Sequence, residues 1–300
     1  MDGTTVYGYL ISPEEGKELK GIVQLAHGMA ETAERYERFA RSLAAEGYLV
    51  YAHDHRGHGK TAGDLENVGY LADKEGFEWL VRDMHNLTDI IREEHPALPL
   101  FLLGHSMGSF AAQRYAMEHG KELTGLILSG SNGNQGIMLK AGNIIAAREV
   151  KKLGRKARSE KMNQLLFGSF NKRFHPSRTE FDWLSRDDEE VDKYIRDPYC
   201  GAVFTSGFYH DFINGLMVIE KKSNRRKVPK DLPILILSGD RDPVGKFGKG
   251  VRNLYEIYKN TGVKDITLKL YPEARHELLN EINREEVTND IITWVKQHTV

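Results

Sequence analysis

The sequence holds a single cysteine, Cys200, so no internal disulfide can staple it. It has no long uncharged apolar run, and with a mean hydropathy of −0.50 nothing in it is fit to cross a bilayer as a helix. Neither sign of charge prevails: 42 Lys and Arg stand against 43 Asp and Glu, a formal charge of −1, so no global field draws in nucleic acid or an anionic surface. The basic runs also lack the interleaved aromatic residues on which bases stack. The first residues lack the basic start and apolar core of a secretory signal, which makes cytoplasmic residence the expectation. Internal repeats and low-complexity tracts are missing too. These absences leave a globular chain whose partner is a small molecule. Its 300 residues can bury roughly three quarters of the surface that the unfolded chain exposes.

What is present is a regular alternation of apolar runs and helical periodicity. Val6–Ile11 reads as an edge strand ending at Ser12-Pro13. Gly21–Glu31 begins with Ile22, Val23, Leu25 and Ala26, apolar nearly throughout, as a strand covered on both faces requires. A helix through Tyr36, Phe39, Leu43 and Ala44 and a strand within YLVYAHDHRGHG complete a right-handed parallel unit. A second helical pattern runs from Phe77 to Ile91 and should stop before Pro96. Further buried strands are read at Leu123–Gly130, Leu232–Leu237 and Ile266–Pro272, and a last amphipathic helix at Val287–Val295.

Between Asn132 and Lys230 the alternation breaks, leaving helical patterns, dense charge and no buried strand. A structureless loop of that length is improbable in a compact domain, so the segment is expected to be an inserted helical subdomain. The reading is therefore an α/β core over residues 1–131 and 231–300, interrupted by a helical cap over residues 132–230.

The chemistry centres on FLLGHSMGS, Phe101–Ser109. An apolar strand stops at Gly104, Ser106 follows, then Gly108, and Phe110, Ala111, Tyr115 and Ala116 recur at helical spacing. G-x-S-x-G between strand and helix is a nucleophile elbow, a turn tight enough to need small residues two positions either side of the serine. A serine hydroxyl is a poor nucleophile at neutral pH and needs a base oriented by an acid. The ends of later strands offer both: Asp240 or Asp242 in SGDRDP, and His276 in PEARHE. The Met107 amide, at the start of a helix, would face a developing oxyanion.

HGMAETAERY, HDHRGHG, GHSMG, SGDRDPVG and ARHELLNE together resemble the lysophospholipase and monoacylglycerol lipase branch of the α/β-hydrolases. The resemblance implies a mostly parallel sheet flanked by helices under a lid, with a Ser106–His276–Asp242 triad and Asp240 as a turn residue. It implies oxyanion donors at the backbone amides of Met29 and Met107, with Glu31 and Arg35 bordering an alcohol pocket. The expected activity is hydrolysis of carboxylic esters, a monoacylglycerol or lysophospholipid in particular, through an acyl-enzyme without metal or organic cofactor. Short-chain esterases and serine aminopeptidases use the same triad and remain alternatives, as does a non-catalytic binder that keeps the fold. One departure stands out: where monoglyceride lipases carry a histidine three residues past the catalytic one, this chain has Leu279. Glycerol recognition does not follow from the resemblance alone.

Other features allow two readings. Glu31 and Arg35 could hold a polar headgroup or brace a loop. His27 is expected to support the oxyanion loop. His53, His55 and His58 could ligate a metal, but their string matches the hydrolase loop. In the cap, Ile137–Ile145 precedes a basic run from Lys151 to Lys161, either a lid helix that touches lipid aggregates or a solvated face.

Overall fold

The computed structural model describes residues 2–299. Seven strands form one sheet in the order β1–β3–β2–β4–β5–β6–β7. They are β1 (Gly8–Ile11), β2 (Gly21–Ala26), β3 (Tyr48–His53), β4 (Leu100–His105), β5 (Gly125–Ser129), β6 (Ile234–Gly239) and β7 (Ile266–Tyr271). Only β1 runs antiparallel, pairing with β3 at the sheet edge.

The near-continuous apolar strands are explained by a core on each face. Ile22, Leu100, Leu102, Leu126, Leu128, Ile234 and Ile236 point into one core, and Val23, Phe101, Leu103, Ile127, Leu235 and Leu237 into the other, so alternate residues serve opposite layers. The second core is closed by α1 (Glu37–Ala45) and α11 (Arg284–Gln297). Over the first lie α3 (Gly76–Glu94), which follows the short α2 (Gly59–Ala62), and α4 (Met107–His119).

Residues 132–230 contain α5 (Ile137–Leu153), α6 (Glu160–Phe167), α7 (Asp188–Arg196), α8 (Ser206–Glu220) and α9 (Lys222–Arg225). Their described β-structure is a single isolated bridge, Arg158 with Thr205. By packing, α8 belongs to the layer of α3 and α4: the Phe212 ring lies 6.0 Å from Phe77 and 5.9 Å from Phe110. The remaining helix, α10 (Lys249–Thr261), returns the chain from β6 to β7.

The topology also fixes where a ligand can sit. From β2 the chain moves outward to β3, then crosses back to place β4 on the other side of β2. Such a reversal opens a crevice beyond the carboxyl ends of the two strands. The His27–Met29 loop leaves β2 there, and Ser106 leaves β4.

Candidate active site

Ser106 has φ 51° and ψ −119°, a backbone conformation that costs an L-residue on the order of 1–3 kcal/mol. Its neighbours impose it. A side chain on Gly104 would collide with the Gly108 backbone, and one on Gly108 with the carbonyls of Ala26 and His27. The turn is anchored by the Ser106 amide, which donates to the Ser129 carbonyl at 2.9 Å, and by the Ser106 carbonyl, which accepts from Ser109 Oγ at 2.6 Å. The Ser106 side chain stays half-buried while nearly everything around it is buried.

The β2 loop presses against this turn: a Cβ on Gly28 would lie 3.2 Å from Ser106 Cβ. His27 holds the loop in shape. Its Nε2 accepts from the His55 amide at 2.9 Å, which leaves Nδ1 to donate to the Gly28 carbonyl at 2.7 Å. Burial pushes this imidazole down to about 3, so it is neutral under ordinary conditions. Among the described residues, no acceptor engages the backbone amides of Met29 and Met107. Both residues border the space in front of Ser106.

Glu31 completes the loop. Its Oε1 accepts from the Gly28 amide and from Tyr36 OH at 2.7 Å, while Arg35 Nε approaches Oε2 at 3.3 Å. Arg35 reaches on to Glu277, and its guanidinium lies 4.9 Å from the centre of the Tyr194 ring. Burial and the nearby Glu277 carboxylate raise Glu31 to about 7, with Arg35 opposing. Of the two readings left open for Glu31 and Arg35, bracing is therefore the contact made, although Glu31 also lines the larger cavity.

Asp242 and His276 meet as the strand ends demand. His276 Nδ1 lies 3.0 Å from Asp242 Oδ1, and both side chains are buried. The approach is ionic in distance but outside good hydrogen-bond alignment, a common state of such pairs before substrate binds. The Val244 amide donates to Asp242 Oδ1 at 2.8 Å. Burial, the largest influence, pushes the His276 imidazole down; Asp242, with Glu277 and Glu31 adding to it, outweighs that, and the net shift is upward. Asp240 instead accepts from the Glu273 amide at 2.8 Å in an exposed turn. Ser106 and His276 face the same cavity, and the described hydrogen bonds include none between them.

Ser106 stands where two cavities join. One, of about 760 Å³, has a mixed lining in which Glu31, Asn171, Arg178, His276 and Glu277 stand beside Phe181. The other, of about 420 Å³, is mainly apolar and is lined by Leu139, Ile145, Leu166, Phe212, Ile213 and Leu216. Met29, Ser106 and Phe167 border both. Each volume falls in the range of about 300–1,000 Å³ usual for small-molecule sites.

Sequence reasoning missed Trp183, whose ring, from within residues 132–230, lies 5.1 Å from that of His276. The Trp183 carbonyl accepts from the His276 amide at 3.4 Å, and the Leu184 carbonyl from the Glu277 amide at 2.7 Å. An aromatic residue inside a helical insertion carries no mark of such a role. The spacing of His53, His55 and His58 reflects mutual bracing: His53 Nε2 and His55 Nδ1 share a 3.1 Å hydrogen bond, and His58 Nδ1 contacts the Arg56 carbonyl at 3.0 Å.

A seven-stranded sheet carrying a strained serine turn, with a paired carboxylate and imidazole at later strand ends, defines the α/β-hydrolase class. The chain belongs to the serine aminopeptidase S33 family, whose model matches residues 17–283. It is 33% identical over 286 residues to human monoglyceride lipase, covering 93% of this chain and 84% of that one. To monoacylglycerol lipase of Mycolicibacterium smegmatis it is 31% identical over 281 residues, covering 93% and 89%. A thermostable carboxyl esterase from Bacillus coagulans, solved in complex with glycerol, superposes with a TM-score of 0.91 at 32% identity, covering 98% of this chain and 94% of its own. The chain is a carboxylic ester hydrolase.

Proposed function

We propose that the substrate is a single-chain fatty acyl ester, a monoacylglycerol before a lysophospholipid, cleaved through an acyl-enzyme. The observation that carries this reading is the position of Ser106 between a mainly apolar cavity and a mixed one that holds the charged and polar groups. An ester whose carbonyl sits at Ser106 places its acyl chain in the first and its alcohol in the second. The glycerol-bound esterase and the two lipases named above support glycerol as that alcohol. Leu279 is buried and is not part of the polar wall; Glu277 and Asn171 supply polar groups there.

In this mechanism Ser106 Oγ attacks the carbonyl carbon while His276 Nε2 takes its proton. Asp242 stabilises the imidazolium, and the amides of Met29 and Met107 bind the oxyanion. The tetrahedral intermediate expels the alcohol, which takes the proton from His276. Water, deprotonated by the same imidazole, then releases the acid. These steps require no metal or organic cofactor. Residues 132–230 serve as the cap, with α8 as its foot on the core. Exposed Met138 and Leu165, which line the apolar cavity, and their exposed neighbour Ile137 would meet a lipid aggregate.

The aminopeptidase alternative draws on Glu31 and Glu277 in the mixed cavity, which could receive a free amino group. Arg35 already pairs with both, which favours the ester reading. The test is a hydrolysis panel of monoacylglycerols of graded chain length, lysophosphatidylcholine, p-nitrophenyl esters and aminoacyl anilides. We expect monoacylglycerols to lead, with rates rising as the substrate aggregates. Ser106→Ala should lower every rate by at least about a thousandfold while leaving the fold intact. Faster cleavage of aminoacyl anilides than of any ester, or a fully active Ser106→Ala protein, would overturn the proposal.

A further inference from the structure

A second cluster of chemistry-bearing side chains lies at the far end of α4. His85 projects from the middle of α3, His119 is the last residue of α4, and Glu122 closes the 3-10 turn Gly120–Glu122 that follows. His85 Nε2 lies 3.2 Å from Glu122 Oε1, and His119 Nδ1 lies 3.4 Å from the same oxygen. One ligand atom from each residue falls within 4.8 Å of the others, the one such group among the described residues. With 13 residues in α4, the cluster stands about 20 Å along the helix from Ser106.

We propose that His85, His119 and Glu122 bind a borderline divalent transition ion, Zn²⁺ in the first instance, at a site separate from the ester-cleaving centre. The spacing fits that ion. Zinc bonds to nitrogen and oxygen ligands are about 2.0–2.2 Å long, so the edge of a tetrahedral site is about 3.4 Å. The two separations from Glu122 Oε1 match it. Two imidazoles with one carboxylate select a borderline ion over Ca²⁺ or Mg²⁺, which take oxygen ligands.

The surroundings are also built as a metal site requires. Asp89 Oδ2 lies 3.4 Å from His85 Nδ1, where it accepts the ring proton when Nε2 binds the ion, a carboxylate–histidine–metal arrangement. Tyr115 OH, which donates to Thr88 Oγ1 at 2.9 Å, lies 3.4 Å from Glu122 Oε2, while Oε1 faces the histidines. Arg92 Nη2 donates to the Glu122 carbonyl at 2.6 Å and fixes the turn. The imidazoles stack with ring centres 3.7 Å apart, so binding requires the two rings to splay until both nitrogens point at one ion. Partial exposure of all three residues gives the ion a path from solvent and leaves room for a water as fourth ligand.

The bound ion would tie α3 to the end of α4, so its readout is binding and thermal stability. Equilibrium dialysis of the full chain against zinc chloride should show one saturable ion with micromolar affinity and a raised Tm, with calcium unable to compete. His85→Ala and His119→Ala should each weaken binding by at least about tenfold, and Asp89→Asn by about tenfold through the lost partner. His85→Gln and His119→Gln serve as better-packed versions of the first two. Wild-type ester turnover in all of them shows that they are folded. His276→Ala should keep the ion, which separates this site from the proposed triad. Absence of saturable binding up to millimolar zinc, wild-type affinity in the His85→Ala/His119→Ala double variant, or loss of the ion in His276→Ala alone would overturn the site.

Discussion

Asp240 and Asp242 end the same strand two residues apart and differ in everything that acid assistance depends on. Asp242 is fully buried beside His276, whereas Asp240 lies in an exposed turn. Asp242→Asn should therefore reduce kcat by on the order of 10⁴-fold, as loss of the orienting acid does in serine hydrolases. Asp240→Asn should leave kcat near wild type; steady-state kinetics on one monoacylglycerol decides between them. The pH profile follows from the same pair. The proposed base works only as neutral imidazole, and Asp242 raises its pKa above the ordinary 6.5. The acid limb of kcat/KM should accordingly have its midpoint above about 6.5, and one well below that would count against His276. In the sequence, strand ends left the two aspartates open, and only the family resemblance favoured Asp242. It did not show that Arg35 would link Glu31 to Glu277, because that contact joins segments distant along the chain and has no local pattern.

At the scale of elements, α5 forms one wall of the apolar cavity, and Gly142 faces it from mid-helix. A Cβ there would meet only Ile213 Cδ1 at 3.7 Å, so the position has room for a side chain. Gly142→Leu should narrow the cavity and shift preference toward shorter acyl chains. It should also hold or raise stability, since leaving glycine out of a helix interior is worth about 1 kcal/mol. A chain-length series with parallel melting curves tests both; an unchanged chain-length preference would remove this cavity as the acyl site. The helices within residues 132–230 were legible as periodicity, but their faces were not. The basic run from Lys151 to Lys161 reads as one charged patch in sequence. In three dimensions Arg155 pairs with Asp211, Arg158 donates to the Leu65 and Val203 carbonyls, and Lys161 pairs with Glu149 at 3.1 Å. Those three cations are engaged within the protein, which leaves the exposed apolar residues as the stronger ground for lipid contact.

For the whole molecule, the sheet was the most legible part, because runs covered on both faces have a signature that polar surroundings cannot imitate. Less legible was the cost of burying so many imidazoles beneath it. Burial pushes His27 and His58 down to about 3 and His53 to about 4, and His55 well below its ordinary value. Each unfolded imidazole binds a proton near 6.5 that its folded counterpart refuses. Their contribution to stability is thus full above about pH 6.5 and is lost as pH falls toward 3–4. His276 runs the other way, since its raised value favours the fold below 6.5 and the gain fades as pH rises through it. His105, also pushed well below its ordinary value by burial, joins those four, while Glu31, raised to about 7, acts with His276. Five depressed imidazoles outnumber these two, so urea midpoints should drop steeply between about pH 6.5 and 4. The slope should exceed the roughly 1.4 kcal/mol per pH unit of a single proton. A flat profile across that window would contradict the account.

The seam between residues 132–230 and the His276 loop carries a last consequence. Besides the two backbone bonds from Trp183 and Leu184, Arg275 Nη1 donates to the Ser185 carbonyl at 2.9 Å, and Arg186 Nε reaches Glu281 at 2.9 Å. Residues 132–230 are thereby sewn to the loop that carries the proposed base. On the proposed reading, grafting the corresponding segment from a relative would disturb turnover along with selectivity, and a graft that kept its rate would have to import this stitching as well.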